Sequence, residues 1–410
     1  MLRHRTRDRK RDRIMTFARQ SGDPDEVFKA GRFREADRAY ARILEKDPDN
    51  ARANAQRGYI ALLSNKFATA EKFLTKAVRL APDDRFSKEQ LADCFVRQDQ
   101  LARAVPLLRA ARVEAYAKQY ESVTGTPYEV RGAQSTRIPF VALNPGPAIE
   151  ASVNGAEPVT FGLDTGAPLA FTMETAEKAG LRAVATSKGR TSEEVLTIYH
   201  GVVESLRMGG IELRNVPVVW HDAEMPHPLG VEQPKGVIGT TIFYHFLTTM
   251  DFANQALVLR RKTEAQLRKF RAEAERAGAE RLPLWLADTH LPHTLGSING
   301  YGPRVVSLDT GVEGAAQVTA DEKTAKRAGL TVDYERPVTL TAMDKSFPFV
   351  APEVSLGRAT SRNVYGIAIQ DSALNNRVGF ETIGNFSQEF FKAFTVTFDY
   401  VGMHLYIART

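Results

Sequence analysis

The sequence predicts two architectures in one chain, an α-helical solenoid followed by a bilobal, mostly-β barrel domain. Three observations carry this expectation. Landmarks recur every 34 residues between 31 and 104, the helical period gives way to short β-rich runs after Thr124, and an Asp-Thr-Gly triplet occurs twice, 145 residues apart, in matching contexts. At 410 residues and 43% hydrophobic, the chain exceeds the size of one core, so several globular units are expected.

Residues 1–23 read as a basic, disordered tail. Seven Lys and Arg against two Asp within residues 1–14 account for +5 of the formal +6. The basicity is therefore a terminal feature, and no nucleic-acid surface is expected. The single cysteine, Cys94 in "LADCF", excludes an intrachain disulfide and a cysteine-based metal cluster, and reads as a small core residue. No stretch reaches the roughly 20 apolar residues of a membrane span. The basic tail leads into no apolar signal core, so a cytoplasmic location is the default expectation, with a periplasmic or secreted one as the alternative if translation starts elsewhere.

Residues 24–118 carry the helical repeats. "GRF" at 31–33, "NKF" at 65–67 and "DQL" at 99–101 are spaced by 34, as are Ala36, Ala70 and Ala104, and Pro48 and Pro82. Helical spacing of apolar residues in "ADRAYARILEKDP" and "ATAEKFLTKAVRLAP" makes each unit a helix pair, with small residues where two helices cross. This resembles the tetratricopeptide repeat over about residues 24 to 116. Gly58, Ala70 and Pro82 stand where the family places a small residue, an Ala and a turn Pro. Two good repeats and a degenerate third are expected, because Pro24 leaves the first leading helix little room and Pro106 falls early in the last helix. The resemblance implies a concave groove for peptides or partner proteins; packing on the following domain is the alternative.

Residues 119–134 read as a linker, and 135–262 and 281–410 as two similar lobes. In "AIEASVNGAEPVTFGLDTG" a strand, an Asn154-Gly155 turn and a second strand lead into Asp164-Thr165-Gly166; "TLGSINGYGPRVVSLDTG" repeats this with Asn299-Gly300 and Asp309-Thr310-Gly311. Each copy continues into a short helix ending at Gly180 or Gly329. Each then closes with a terminal hairpin opened by Asp251 or Asp399, 148 residues apart. Residues 263–280, rich in charge and free of proline, predict a solvated helix between the lobes.

This duplication resembles the retropepsin-like and pepsin-like aspartic proteases over roughly residues 135 to 410. The resemblance carries over the two Asp-Thr-Gly triplets and an apolar-apolar-Gly segment per lobe, Val237-Ile238-Gly239 and Thr382-Ile383-Gly384. It implies a bilobal fold, often found in bacterial exported proteins, and an aspartic-type endopeptidase acting on extended polypeptides. Asp164 and Asp309 would be the catalytic pair, supported by Thr165 and Thr310 bonded across the lobes and by Gly166 and Gly311.

Two facing carboxylates that share one proton supply both a base for water and an acid for the carbonyl oxygen, with no cofactor or metal. A duplicated chain brings both together internally, so a monomer suffices. In the second lobe Val312 stands where the family favours Ser, Thr or Ala. A flap hairpin is expected at 186–201, whereas the matching segment after Val338 has no glycine at its tip. A protease-like, non-cleaving binding or scaffold protein is the competing expectation. His221, His227, His290 and His293 read as scattered surface histidines, with no HExxH and no cysteine partner.

Overall fold

The computed structural model describes residues 22–190, 195–222, 233–311, 314–339, 345–370 and 372–409. Val312, His227 and the tips of both flap segments lie outside the described residues. Three helix pairs form the solenoid: α1 (Pro24–Lys29) with α2 (Phe33–Lys46), α3 (Ala51–Leu63) with α4 (Phe67–Leu80), and α5 (Arg85–Val96) with α6 (Leu101–Ala110). A seventh helix, α7 (Glu114–Glu121), closes the stack. Asn50 and Asp84 cap α3 and α5 by accepting from the backbone N–H groups of Ala53 and Ser87. The crossings are as tight as the period implies. Ala36, Ala70 and Ala104 are all 0% exposed, and a Cβ on Gly58 would come within 2.5 Å of Leu74 Cγ. The third pair forms in full: Pro106 sits inside α6 without ending it, because losing one helical N–H is tolerated where the buried Leu101, Ala104, Val105 and Leu108 anchor the helix. α1 is short, starting at Pro24 and stopped before Gly31, whose φ is positive.

The first lobe is built from β1 (Glu129–Gly132), β3 (Ala148–Val153), β4 (Val159–Asp164), β5 (Ala170–Thr172), β6 (Ala185–Arg190), β7 (Val195–Met208), β8 (Ile211–His221) and β9 (Gly236–Gly239); β2 (Ser135–Pro139) leaves it for another sheet. The second lobe comprises β13 (Trp285–Ala287), β14 (Leu291–Ile298), β15 (Tyr301–Asp309), β16 (Val318–Asp321), β17 (Val338–Thr339), β18 (Lys345–Leu356), β19 (Ala359–Ile369) and β20 (Asn385–Ser387). In each lobe six strands close a circuit, β3-β4-β9-β5-β8-β7 and β14-β15-β20-β16-β19-β18, so the two are topological copies. Asn154-Gly155 and Asn299-Gly300 all adopt positive φ, which fixes both hairpin turns. The small helices are α8 (Met173–Lys178), α9 (Thr240–Phe243), α10 (Glu264–Arg276), α11 (Glu322–Arg327), α12 (Ala373–Val378) and α13 (Gln388–Phe391).

A third sheet joins the lobes. It runs β12-β22-β21-β10-β11-β2, with β10 (Phe246–Asp251), β11 (Ala256–Arg261), β12 (Glu280–Pro283), β21 (Phe394–Asp399) and β22 (His404–Arg409). β10 and β21 pair antiparallel with Thr249 opposite Thr397, and their hydroxyls hydrogen-bond at 2.8 Å. Because 249 and 397 are equivalent positions of the two copies, a pseudo-two-fold axis passes through this pair.

Two segments differ from the sequence reading. Residues 129–132 are not linker but the edge strand β1, bonded to β8. α10 is not wholly solvated: Leu267, Phe270 and Ala274 form a buried stripe against Leu247 and Tyr406. The solenoid is fastened to both lobes. Phe28, Phe33 and Tyr59 pack with Trp285, Val378 and Phe380 in one cluster, and Tyr59 donates to the Val378 carbonyl at 3.0 Å. Buried Arg97 donates to the Leu62 and Leu286 carbonyls, while Gln119 Nε2 donates to the carbonyls of Gly201 and Val218 in the first lobe. None of the described helices is long and apolar enough to cross a membrane.

Candidate active site

Asp164 ends β4 and Asp309 ends β15, and the two strand ends meet between the lobes. The residues that follow lock them in a reciprocal grip. Thr165 Oγ1 donates to the Leu308 carbonyl at 2.9 Å and accepts from the Thr310 N–H at 3.1 Å; Thr310 Oγ1 donates to the Leu163 carbonyl at 2.9 Å and accepts from the Thr165 N–H at 3.1 Å. Both threonines are essentially sealed from solvent, at 0% and 1% exposure, so the four bonds face no competition from water. Each Gly-for-Asp approach is close. A Cβ on Gly166 would lie 2.8 Å from Asp309 Cγ, and one on Gly311 would overlap Asp164 Cγ. Neither glycine has positive φ, so it is the approach of the opposite carboxyl, not backbone conformation, that demands a residue without a side chain.

The Gly166 N–H donates to Asp164 Oδ1 at 2.6 Å, and the Gly311 N–H to Asp309 Oδ1 at 3.0 Å. Burial, then the charge of Asp309 and a hydrogen bond to it, push the Asp164 carboxyl well above the usual range; the N–H groups of Gly166 and Gly311 pull only partly against this. Both aspartates remain partly exposed at the mouth of the site, so water can reach a pair of acids close enough to share one proton. Such a pair can take a proton from water with one oxygen while giving one with another.

Beneath the loops run β9 and β20, each parallel to its aspartate strand. Gly162, Leu163 and Asp164 face Val237, Ile238 and Gly239; Ser307, Leu308 and Asp309 face Asn385, Phe386 and Ser387. The counterpart of Val237-Ile238-Gly239 is therefore Asn385-Phe386-Ser387, and the sequence assignment to Thr382-Ile383-Gly384 is corrected. Gly384 instead matches Gly236: a Cβ on either glycine would approach the carbonyl oxygen of an equivalent residue, Thr319 or Ala170.

The sequence reading missed Asn385, whose Nδ2 donates to Asp309 Oδ2 at 3.1 Å, and Ser307, which donates to Asn385 Oδ1 at 2.8 Å. It also missed Thr240, whose hydroxyl donates to the Thr165 carbonyl at 2.8 Å.

The remaining candidates lie away from the pair. Asp251 accepts from the Asn254 N–H, and Asp399 from those of Val401 and Gly402, as residues that open the two terminal hairpins do. Of the four candidate histidines, His227 lies outside the described residues, His221 and His290 are half-buried, and His293 is a buried core group rather than a surface one. His293 is 0% exposed with its Nδ1 against the Leu291 carbonyl, and burial lowers it and His290 to about 4. His293 fills a core position because a neutral imidazole packs like an aromatic ring, here edge-on to Phe380. Among the described residues no group of three His, Cys, Asp or Glu is placed to hold a metal ion.

Fold and site define a class, a bilobal aspartyl-protease-like domain behind a tetratricopeptide region. The comparisons agree: residues 149–242 match the family model described as aspartyl protease, and residues 27–88 that described as tetratricopeptide repeat. No curated protein matches the chain. Among solved structures, a mutant O-GlcNAc transferase from Thermobaculum terrenum aligns over 25% of this chain and 22% of its own, at 22% identity and a TM-score of 0.23, an overlay too partial to carry an argument.

Proposed function

We propose that the protein is an aspartic-type endopeptidase whose Asp164 and Asp309 hydrolyse extended polypeptides within one chain. The observation that carries this reading is the reciprocal Thr165–Thr310 grip, which sets two carboxyls face to face where a structural pair of acids would only cost stability. In the step it supports, the ionised carboxylate takes a proton from a water whose oxygen attacks the peptide carbonyl carbon. The protonated carboxyl gives its proton to the carbonyl oxygen. Collapse of the resulting gem-diol breaks the C–N bond as the nitrogen takes up a proton.

The repeat region is of a kind that mediates protein–protein contacts. One such contact is made with the chain's own second lobe, through α1, Phe33 at the start of α2, α3 and the α12 to Phe380 segment.

The test is cleavage of a denatured protein mixture from about pH 3 to 8 by the wild type, Asp164→Asn and Asp309→Asn, with sedimentation of the active species. Loss of cleavage in both folded variants and a cleaving monomer are expected. A well-folded wild type that cuts nothing across that range would favour a binding protein with a protease fold.

A further inference from the structure

The two halves of the dyad are copies in topology but not in their surroundings. At the register position where β9 places Val237 against Gly162, β20 places Asn385 against Ser307. Neither first-lobe residue has a polar side chain. In the second lobe the Ser307 hydroxyl, 5% exposed, donates to Asn385 Oδ1 at 2.8 Å, so the amide turns Nδ2 toward Asp309 Oδ2 at 3.1 Å. Asp309 thus has a donor on each oxygen, the Gly311 N–H and the Asn385 amide. The hydrogen bond that Asp164 accepts is that of the Gly166 N–H, with the Gly311 N–H aimed mainly at Asp309 and Val237 standing where an amide would have to be.

We propose that Asn385, oriented by Ser307, breaks the symmetry of the dyad, so that Asp309 is the carboxylate that accepts the proton of water and Asp164 the member that holds the shared proton. The proposal rests on the hydrolytic reading of the pair. An amide N–H can donate to a carboxylate oxygen but has nothing to give the O–H of an acid, so it favours charge on the oxygen it faces. The burial of Asp164, which pushes its carboxyl up, works in the same direction. Asn385 is a positioning residue: it touches Asp309 and need not touch substrate.

Chemical labelling reads the assignment without relying on turnover. A small aryl glycidyl ether is opened by a carboxylate and leaves an ester on it. A diazoacetyl ester takes the proton of a carboxylic acid and alkylates the same oxygen with loss of nitrogen. Peptide mapping by mass spectrometry then locates each ester. In the wild type the epoxide is expected on Asp309 and the diazo reagent on Asp164, each preferred by about tenfold or more, the least that a hydrogen bond to a charged group contributes to such an equilibrium.

The double variant Ser307→Gly/Asn385→Val, which rebuilds the first-lobe arrangement, is expected to reduce both preferences severalfold, leaving what the burial of Asp164 alone contributes. The converse variant, Gly162→Ser/Val237→Asn, is expected to move epoxide label toward Asp164; a Cβ at 162 has no neighbour closer than 3.9 Å, so the serine has room. Equal labelling or none in the wild type, or an unchanged preference for Asp309 in both variants, overturns the proposal. Cleavage assays on the same preparations separate the two readings. A wild type that labels asymmetrically and cuts nothing sinks the hydrolytic reading alone, and one that cuts while labelling both aspartates equally sinks the assignment of Asn385 alone.

Discussion

Thr165 and Thr310 concentrate the site's structural demand in two hydroxyls. In Thr165→Val the shape is kept, but the Thr310 N–H and the Leu308 carbonyl lose their partner in a dry interface. Each orphaned group should cost on the order of 1–3 kcal/mol, read as a lower urea midpoint, and Thr165→Ser should recover most of it. Asp164 predicts a pH dependence of stability with a definite sign. Its carboxyl is raised in the folded protein, whereas the unfolded one titrates near 3.9. Between those values the folded state holds a proton that the unfolded state has released, so its contribution falls as pH rises through that window. Asp164→Asn removes the titration. Its melting temperature relative to wild type should therefore climb from pH 4 toward pH 7; a flat difference would mean the proton is not held there. Asp164, Asp309 and their threonines were legible because the triplet recurs with its hairpin. Asn385 and Ser307 were not, since their role depends on which residues face each other across parallel strands.

At the scale of elements, the frame error at β20 has a traceable origin. The triplets are offset by 145 residues, but Asp251 and Asp399 by 148, and the extra residues enter before Gly236 and Gly384, which are already 148 apart. Matching the two Ile-Gly pairs placed the insertion too late. The solenoid was legible through its period, and its third pair is more regular than Pro106 suggested because burial of Leu101, Ala104, Val105 and Leu108 outweighs one missing hydrogen bond. What no periodicity could reveal is where the stack docks. That face is aromatic: Phe380 meets Phe28 and Phe33 edge-on, with centroids 6.0 and 4.9 Å away. Phe380→Ala should cost about 3–5 kcal/mol and speed limited proteolysis between solenoid and second lobe. If proteolysis is unchanged, the cluster does not hold the two together.

For the molecule as a whole, acid has opposing effects. Burial holds His290 and His293 to about 4, while the unfolded imidazole titrates near 6.5. Below that value the unfolded state binds protons that the folded state refuses, so stability is lost progressively as pH falls from about 6.5 toward 4. A melting temperature that declines through this window, with a shallower decline in His293→Phe, is the expected result. On the hydrolytic reading, a pair that works with one shared proton is thus mounted on a frame that acid weakens, and any cleavage is expected to be best between the two limits. The shared sheet has a further consequence, in time rather than in energy. Its central pairing joins β10 to β21, and β12 cannot find its place until β22 exists. A chain emerging from the ribosome completes the first lobe early, but these contacts span well over a hundred residues and close slowly. Asp164 therefore waits, solvated and without its mate, until the second half of the chain has been made. On the hydrolytic reading, a half-made chain lacks half of its site and is harmless to its neighbours, so the duplicated architecture would time its own activity.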